Sequence, residues 1–157
     1  MNIESSSFRS TLYPLSAAYD KTWIKKNSLG ENVLYNLESL CEVMNFEEGM
    51  RVLDLGCGKV ASAIFLAKEF GVEVWAIDQY ITPSENYQRI KEMNSEHSVY
   101  PLKLNAKELP FPAHFFDTIS KKPVATTIEN EISLFLINSH KPLPGLSSTP
   151  QMIFNDS

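Results

Sequence analysis

An acid and two glycines stand together in the run Asp54-Leu55-Gly56-Cys57-Gly58, and a second acid, Asp78, follows 20 residues later. Glycine has no Cβ, so the backbone can turn sharply there and a ligand can come close to the main chain. When a helix follows such a loop, its first amides and the positive end of its dipole point at the ligand. The spacing therefore predicts a site for a nucleotide-like ligand.

Two ligand classes compete for this loop. Residues 56–61 match the dinucleotide pattern G-x-G-x-x-G/A, and Asp78 stands where that pattern has a ribose-binding acid. Asp54, however, lies two residues before the first glycine. A carboxylate there would repel a pyrophosphate, whereas it can pair with the cationic amino group of a methionine moiety. Asp54 therefore favours S-adenosylmethionine over NAD, and an NAD-binding half-domain is the weaker alternative.

The segments around the loop alternate between strand and helix patterns. The predicted strands are 51–55, 72–77, 99–104 and 115–120, and the predicted helices between the first three strands are 61–70 and about 82–93. Strands and helices joined by short links are typical of an open parallel sheet with right-handed crossovers. Ligands of such sheets bind at the carboxyl ends of the strands. The predicted fold class is therefore α/β, a Rossmann-like three-layer sandwich with a mostly parallel sheet.

Four segments resemble the motifs of class I S-adenosylmethionine-dependent methyltransferases. They are, in chain order, Val52 to Gly58, Val74 to Asp78, Leu104 to Phe111, and Phe115 to Ser120. Their order and spacing agree with the family pattern over about 70 residues. The resemblance implies the cofactor S-adenosylmethionine and a substrate site beyond the fourth strand.

The resemblance also implies which residues surround the cofactor. They are Asp54, Gly56, Cys57 and Gly58 around the methionine part, Asp78 at the ribose, and Gln79, Tyr80, Asn105 and Ala106 beside the adenine. Asn105 offers an amide where the family more often has a carboxylate. No general base or other catalytic residue is identified, and the cysteines and histidines show no metal-ligand spacing.

An N-terminal helical cap is predicted over residues 1–45. A helix capped by Asn32 would place apolar side chains from Val33 to Met44 on one stripe. Family members place such a segment over cofactor and substrate, which makes Tyr19 and Trp23 candidates for the pocket. The alternative, that both are helix-packing aromatics, stays equally open.

The chain departs from the family pattern at Val60 and after Ser120. A β-branched residue resists positive φ, so a left-handed Val60 would lower cofactor affinity, whereas a negative φ there would cost little. A complete class I fold has seven strands, and only four are recognised. The 37 residues after Ser120 are too few for three further strand and helix units. The expectation is one domain with a cap (1–45), a cofactor-binding core (46–120) and a divergent tail (121–157), truncated and incomplete at its C-terminal side.

Composition limits the partners. The net charge of −5 provides no basic field for nucleic acid. No apolar run approaches the ~20 residues that span a bilayer, and the Ser-rich N-terminus does not resemble a secretory signal, so a cytoplasmic location is expected. A sheet that stops at the fourth strand would expose an apolar edge, which predicts self-association.

The sequence is consistent with two functions. The first is methyl transfer from S-adenosylmethionine to an unidentified small-molecule acceptor. The alternative is a catalytically inactive remnant that binds the cofactor, or a partner protein that completes its sheet with another chain. The missing strands favour the alternative, and the intact first, second and third motifs do not exclude it. In the tail, a helix that starts near Thr126 is predicted to present Ile128, Ile132, Phe135 and Leu136 on one face.

Overall fold

A five-stranded sheet with helices forms the architecture in a computed structural model, which describes residues 11–28, 33–106, 108–121 and 135–138. The elements are α1 (Pro14–Ala17), α2 (Lys21–Asn27), α3 (Val33–Cys41), β1 (Arg51–Leu55), α4 (Ala61–Phe70), β2 (Glu73–Asp78), α5 (Pro83–Glu92), β3 (Val99–Lys103), β4 (Thr118–Lys121) and β5 (Phe135–Asn138). The strand order is β3-β2-β1-β4-β5. None of the described helices is long and apolar enough to cross a membrane.

The predicted α/β fold class is confirmed. Strands β3, β2, β1 and β4 are parallel, and the chain reverses its direction of travel across the sheet between β3 and β4. This reversal puts the topological switch point beside β1, where the glycine loop leaves the sheet. Strand β1 and helix α4 have the predicted bounds. Residues within each segment predict both elements. The apolar run of β1 stops just before Gly56, and α4 ends at Gly71, which has φ of 65°.

Helices α4 and α5 pack with α3 on one face of the sheet. Alternate strand residues point toward them, among them Val52 and Val74, and both belong to the same buried cluster as Phe65 of α4 and Ile90 of α5. Complete burial of a side chain of this size contributes roughly 2 kcal/mol. Because side chains along a strand alternate between the two faces of the sheet, Asp54 lies on the same face as Val52, under the start of α4.

Residues 111–116, here called the aromatic segment, cover the opposite face of the sheet, and no described helix lies there. Phe116 lies at its centre, with ring centroids 5.6 Å from Trp75, 4.8 Å from Phe111 and 4.9 Å from Phe115, all edge to face. These rings pack against Leu53. Strand β4 starts at Thr118, so Phe115 and Phe116 of the predicted strand precede it and belong to this cluster.

Asp117 ties the beginnings of β1 and β4 together. Its carboxylate accepts a hydrogen bond from the Arg51 amide at 2.8 Å, and its own amide donates to the Arg51 carbonyl oxygen at 2.8 Å. The Arg51 guanidinium also lies 4.6 Å from the centroid of the Phe115 ring. These contacts lie at the amino ends of the strands, away from the glycine loop. Asp117 therefore has a structural role.

Strand β5 corrects two expectations about the C-terminal part. Phe135 and Leu136 lie in this strand, whereas the spacing of apolar residues predicted a helix. Pairing of β5 with β4, antiparallel and with Ile119 opposite Ile137, also means that β4 is not an exposed edge. The physical reason is that the outer edge of β4 carries backbone N–H and C=O groups that need hydrogen-bond partners. Strand β5 supplies these partners. The edges of the described sheet are β3 and β5, and self-association stays a prediction.

Other expectations fall on residues that the structure does not describe. The predicted helix cap at Asn32 and the remainder of the predicted C-terminal helix, including Ile128 and Ile132, lie outside the described residues. Most of the predicted tail, 121–157, lies outside them as well. The division of the chain into cap, core and tail stays a prediction.

Specific polar contacts join the cap helices to one another and to the core. The buried Glu38 carboxylate of α3 accepts hydrogen bonds from the Leu15 and Ser16 amides at 3.1 and 2.7 Å, which satisfies the first turn of α1. The ammonium of Lys59 donates to the Lys26 carbonyl oxygen at 2.8 Å. Because Lys26 lies in the last turn of α2, this bond joins the end of that helix to the glycine loop.

Candidate functional site

The glycine loop turns at the carboxyl end of β1. Gly56 and Gly58 have φ of 71° and 56°, a region that glycine enters without steric cost. The Gly56 and Cys57 amides both donate to the Ile77 carbonyl oxygen, at 2.9 and 3.0 Å, which fastens the loop to β2. Among the described residues, a Cβ added at either glycine would meet no atom within 4 Å apart from those of its chain neighbours. The described residues thus leave the space in front of the loop open to a ligand that lies close to the backbone.

Asp78 joins the end of β2 to the same loop. Its Oδ2 accepts a hydrogen bond from the Gly58 amide at 3.0 Å, and its Oδ1 accepts from the Tyr80 and Ile81 amides at 2.8 and 3.0 Å. A carboxylate has about four lone-pair positions, so these three bonds leave acceptor capacity for a ligand hydroxyl. The half-buried side chain is therefore held in place before any ligand binds.

Asp54 lies beneath the loop. Its side chain has no exposed surface, and Oδ2 accepts a hydrogen bond from the Ser62 hydroxyl at 2.7 Å. Ser62 is in the first turn of α4, so the carboxylate faces the positive end of that helix dipole. A fully buried carboxyl does not reach the space in front of the loop, so the direct pairing with a ligand amino group that the sequence suggested is not available in this structure. The preference for S-adenosylmethionine that rests on Asp54 stays a prediction.

Val60 has the left-handed backbone that its side chain disfavours. Its φ is 58° and its ψ is 14°, it is fully buried, and it precedes the first residue of α4. Its amide donates to the Cys57 carbonyl oxygen at 3.1 Å, and its carbonyl oxygen accepts from the Ile64 amide at 3.0 Å. These bonds hold a conformation that costs an L-residue about 1–2 kcal/mol. Of the two alternatives for Val60, the structure has the strained one.

Replacing Val60 with glycine or with alanine should reverse the usual order of stability. Both changes remove the buried isopropyl group, but only glycine has no Cβ to disfavour positive φ. We expect the free energy of unfolding of V60G to exceed that of V60A by about 1 kcal/mol, as measured by urea denaturation. At a helical position with negative φ, alanine would be the more stable of the two. A more stable V60A would show that the backbone at residue 60 is not left-handed.

The residues assigned to the adenine lie along the same edge of the sheet. Gln79 and Tyr80 follow β2, and the Tyr80 side chain is 80% exposed. Asn105 and Ala106 follow β3 and are exposed, and the Asn105 carbonyl oxygen accepts a hydrogen bond from the Glu108 amide at 3.0 Å. Because β2 and β3 are parallel neighbours, the structure brings these four residues to the edge that carries the loop. Their contact with an adenine stays a prediction.

The two aromatic residues of the cap occupy different places. Tyr19 is buried against Phe65, with ring centroids 5.6 Å apart, and its hydroxyl donates to the Glu69 carboxylate at 2.8 Å. Burial and the neighbouring Glu69 raise the pKa of Tyr19 above its usual range. Glu69 lies eight residues after the start of α4, roughly 12 Å along the helix. Tyr19 therefore packs toward the far end of α4. Trp23 is half-buried on α2, one turn before the residue that Lys59 binds.

Three polar residues of the site carry no local signal in the sequence. Ser62 binds Asp54, Lys59 binds the end of α2, and the buried Asn86 of α5 donates to the Gly58 carbonyl oxygen at 2.9 Å.

Cys57, between the two glycines, is buried and packs in the core on the helical face. It contributes its backbone to the loop, and its thiol faces the interior.

Comparison with known proteins agrees with this geometry. The family model described as a methyltransferase domain matches residues 53–140, more than half of the 157 residues. No curated protein matches the chain. An S-adenosylmethionine-dependent methyltransferase from Aquifex aeolicus has a similar solved structure, with 25% identity and a TM-score of 0.52 over 66% of this chain and 56% of that chain.

Two further solved structures show the same fold. A methyltransferase from Thiobacillus denitrificans, in complex with S-adenosyl-L-homocysteine, has 21% identity and a TM-score of 0.50, over 57% of this chain and 36% of that chain. A putative sarcosine dimethylglycine methyltransferase from Galdieria sulphuraria has 18% identity and a TM-score of 0.53, over 75% of this chain and 46% of that chain. The chain thus spans between 36 and 56% of the length of these three structures.

These findings confirm the resemblance drawn from the four motifs. The matched region contains the end of β1, the glycine loop, Asp78 and the aromatic segment. The structures from Aquifex aeolicus and Thiobacillus denitrificans are described as S-adenosylmethionine-dependent methyltransferases, and together with the family match they confirm the cofactor class that the motifs implied. The chain belongs to the methyltransferase domain family.

Proposed function

We propose that this chain binds S-adenosylmethionine at the glycine loop and transfers its methyl group to a small-molecule acceptor. One observation carries the proposal. Gly56 and Gly58 border space that the described residues leave open, and the Asp78 carboxylate at the end of the neighbouring strand is already bonded to the Gly58 amide. A loop that admits close approach and a positioned ribose acceptor thus lie side by side.

Each residue of the loop region would have a different role in binding. The glycines allow the methionine part to lie against the backbone, and Asp78 would accept hydrogen bonds from the ribose hydroxyls. Asp54, buried beneath the loop, would stabilise the cationic groups of the ligand through its negative field. When bound, the cofactor supplies an electrophilic methyl group on a sulfonium. The protein then has to hold an acceptor in line and exclude water.

The acceptor is proposed to be a small molecule. The net charge of −5 disfavours a polyanionic substrate such as nucleic acid, because binding of phosphates depends on a basic surface. The acceptor would bind at the carboxyl ends of β1 and β4, where ligands of open α/β sheets lie.

Calorimetric titration of the chain with S-adenosylmethionine, S-adenosylhomocysteine and NAD tests this function. The expected result is binding of the first two and none of NAD, since the field of Asp54 opposes a pyrophosphate at the start of α4. Binding of NAD alone would favour a dinucleotide-binding half-domain. Failure of all three ligands to bind would contradict the proposal. Release of S-adenosylhomocysteine in the presence of pooled small-molecule acceptors would then separate an enzyme from an inactive binding protein.

A further inference from the structure

Both main-chain polar atoms of Gly58 are bonded to side chains. The Gly58 amide donates to Asp78 Oδ2 at 3.0 Å, and its carbonyl oxygen accepts from Asn86 Nδ2 at 2.9 Å. Asn86 is only 2% exposed, although it lies on the otherwise polar helix α5. A buried amide is costly unless its hydrogen bonds are made. The position of Asn86 is therefore coupled to the position of the loop.

Arg89 fixes the orientation of this amide. Its Nη1 donates to Asn86 Oδ1 at 2.9 Å, from one turn further along α5. A guanidinium can only donate hydrogen bonds, so it binds the oxygen end of the amide and leaves the nitrogen end for Gly58. Helix α5 itself starts with a capping box between Thr82 and Glu85, which sets the helix firmly after Asp78.

We propose that Asn86, oriented by Arg89, is a positioning residue that holds Gly58 in its left-handed conformation and so sets the affinity of the nucleoside site. The effect on affinity rests on the proposed function, whereas the restraint on the loop does not. Gly58 has φ of 56°, and glycine left unrestrained samples many other backbone conformations. Each of these would have to be given up when a ligand binds, which weakens binding.

The reactivity of the Cys57 thiol can show, without any ligand, whether the loop keeps its conformation. Cys57 lies between the two glycines and is 1% exposed, and its sulfur is 3.9 Å from Asn86 Nδ2. Cys41 is the matched internal control, since it is 4% exposed and lies in α3. Burial, together with Glu38, raises the pKa of the Cys41 thiol to about 12. At pH 8 that thiol is protonated and reacts slowly.

Rates of thiol modification in wild type, N86D and N86A form the first experiment, with peptide mapping to assign each cysteine. N86D keeps the side-chain volume and removes the donor to Gly58, whereas N86A removes the same donor without placing a carboxylate beside the Cys57 thiol. We expect Cys57 to react roughly tenfold faster in both variants, the size expected from loss of one buried hydrogen bond, and Cys41 to be unchanged. Q88A, an exposed change on the same helix, should alter neither rate. Equal Cys57 rates in wild type and N86A, or a parallel rise at Cys41, would overturn the proposal.

Affinity for S-adenosylhomocysteine provides the second experiment. N86D should bind roughly tenfold more weakly than wild type, and R89M should show a smaller loss because the amide remains but is no longer oriented. Unchanged affinity in N86D would contradict the role of Asn86 while leaving the proposed function intact. If wild type binds no nucleoside, the proposed function fails, and the thiol rates still decide whether Asn86 holds the loop.

Discussion

Replacing Asp78 with alanine should weaken binding of S-adenosylhomocysteine by about 100-fold. Hydrogen bonds to a charged acceptor contribute roughly 1.5–3 kcal/mol each, and the proposed site uses Asp78 for the ribose hydroxyls. The change also removes the acceptor of the Gly58, Tyr80 and Ile81 amides, so the loop loses its bond to the end of β2. Calorimetric titration measures the effect.

Two variants control for this prediction. D78N keeps the shape and leaves one oxygen to accept from the Tyr80 and Ile81 amides, so its loss of affinity should be smaller than that of D78A. E92Q removes one negative charge at an exposed position of α5 and should bind like wild type, which excludes a general effect of net charge. If D78A bound as tightly as wild type, the ligand would not lie at this acid.

Replacing Phe116 with alanine should lower the free energy of unfolding by about 3–4 kcal/mol, in the range found for large aromatic residues in cores. Phe116 is 9% exposed and contacts Trp75, Phe111 and Phe115 edge to face. Truncation to alanine would leave the Trp75, Phe111 and Phe115 rings without their shared edge-to-face partner. Urea denaturation followed by far-ultraviolet circular dichroism gives the value.

The matched variant for Phe116 is leucine. F116L keeps most of the apolar volume and should cost about 1 kcal/mol, although it loses the edge-to-face contacts. If F116A and F116L were equally destabilised, the loss would come from aromatic geometry and not from volume. If neither were destabilised, the aromatic segment would not be a core of the fold.

Much of the fold between β1 and β3 could be predicted because its signals are local. The run Val52 to Leu55 is apolar enough to be a buried strand and stops at a glycine, and Ala61 to Phe70 ends at Gly71. Thr82, Pro83 and Glu85 mark the start of α5 by capping chemistry alone. Each signal depends on residues a few positions apart, which fold in the same way in many contexts.

The C-terminal part could not be predicted in the same manner. Phe135 and Leu136 fit a helical spacing, yet they lie in β5. Short apolar segments adopt either structure, and the available partner decides between them. That partner is β4, which itself starts at Thr118, three residues later than predicted.

The sequence by itself determined the fold class, the family and the edge of the sheet at which Gly56, Gly58 and Asp78 meet. Only the tertiary structure decided that Val60 is left-handed, that Tyr19 binds Glu69, and that Asn86 holds Gly58. The physical reason is the range of the interactions. Strand, turn and cap preferences depend on near neighbours, whereas a strained backbone or a buried amide persists only when residues distant in the chain are packed around it.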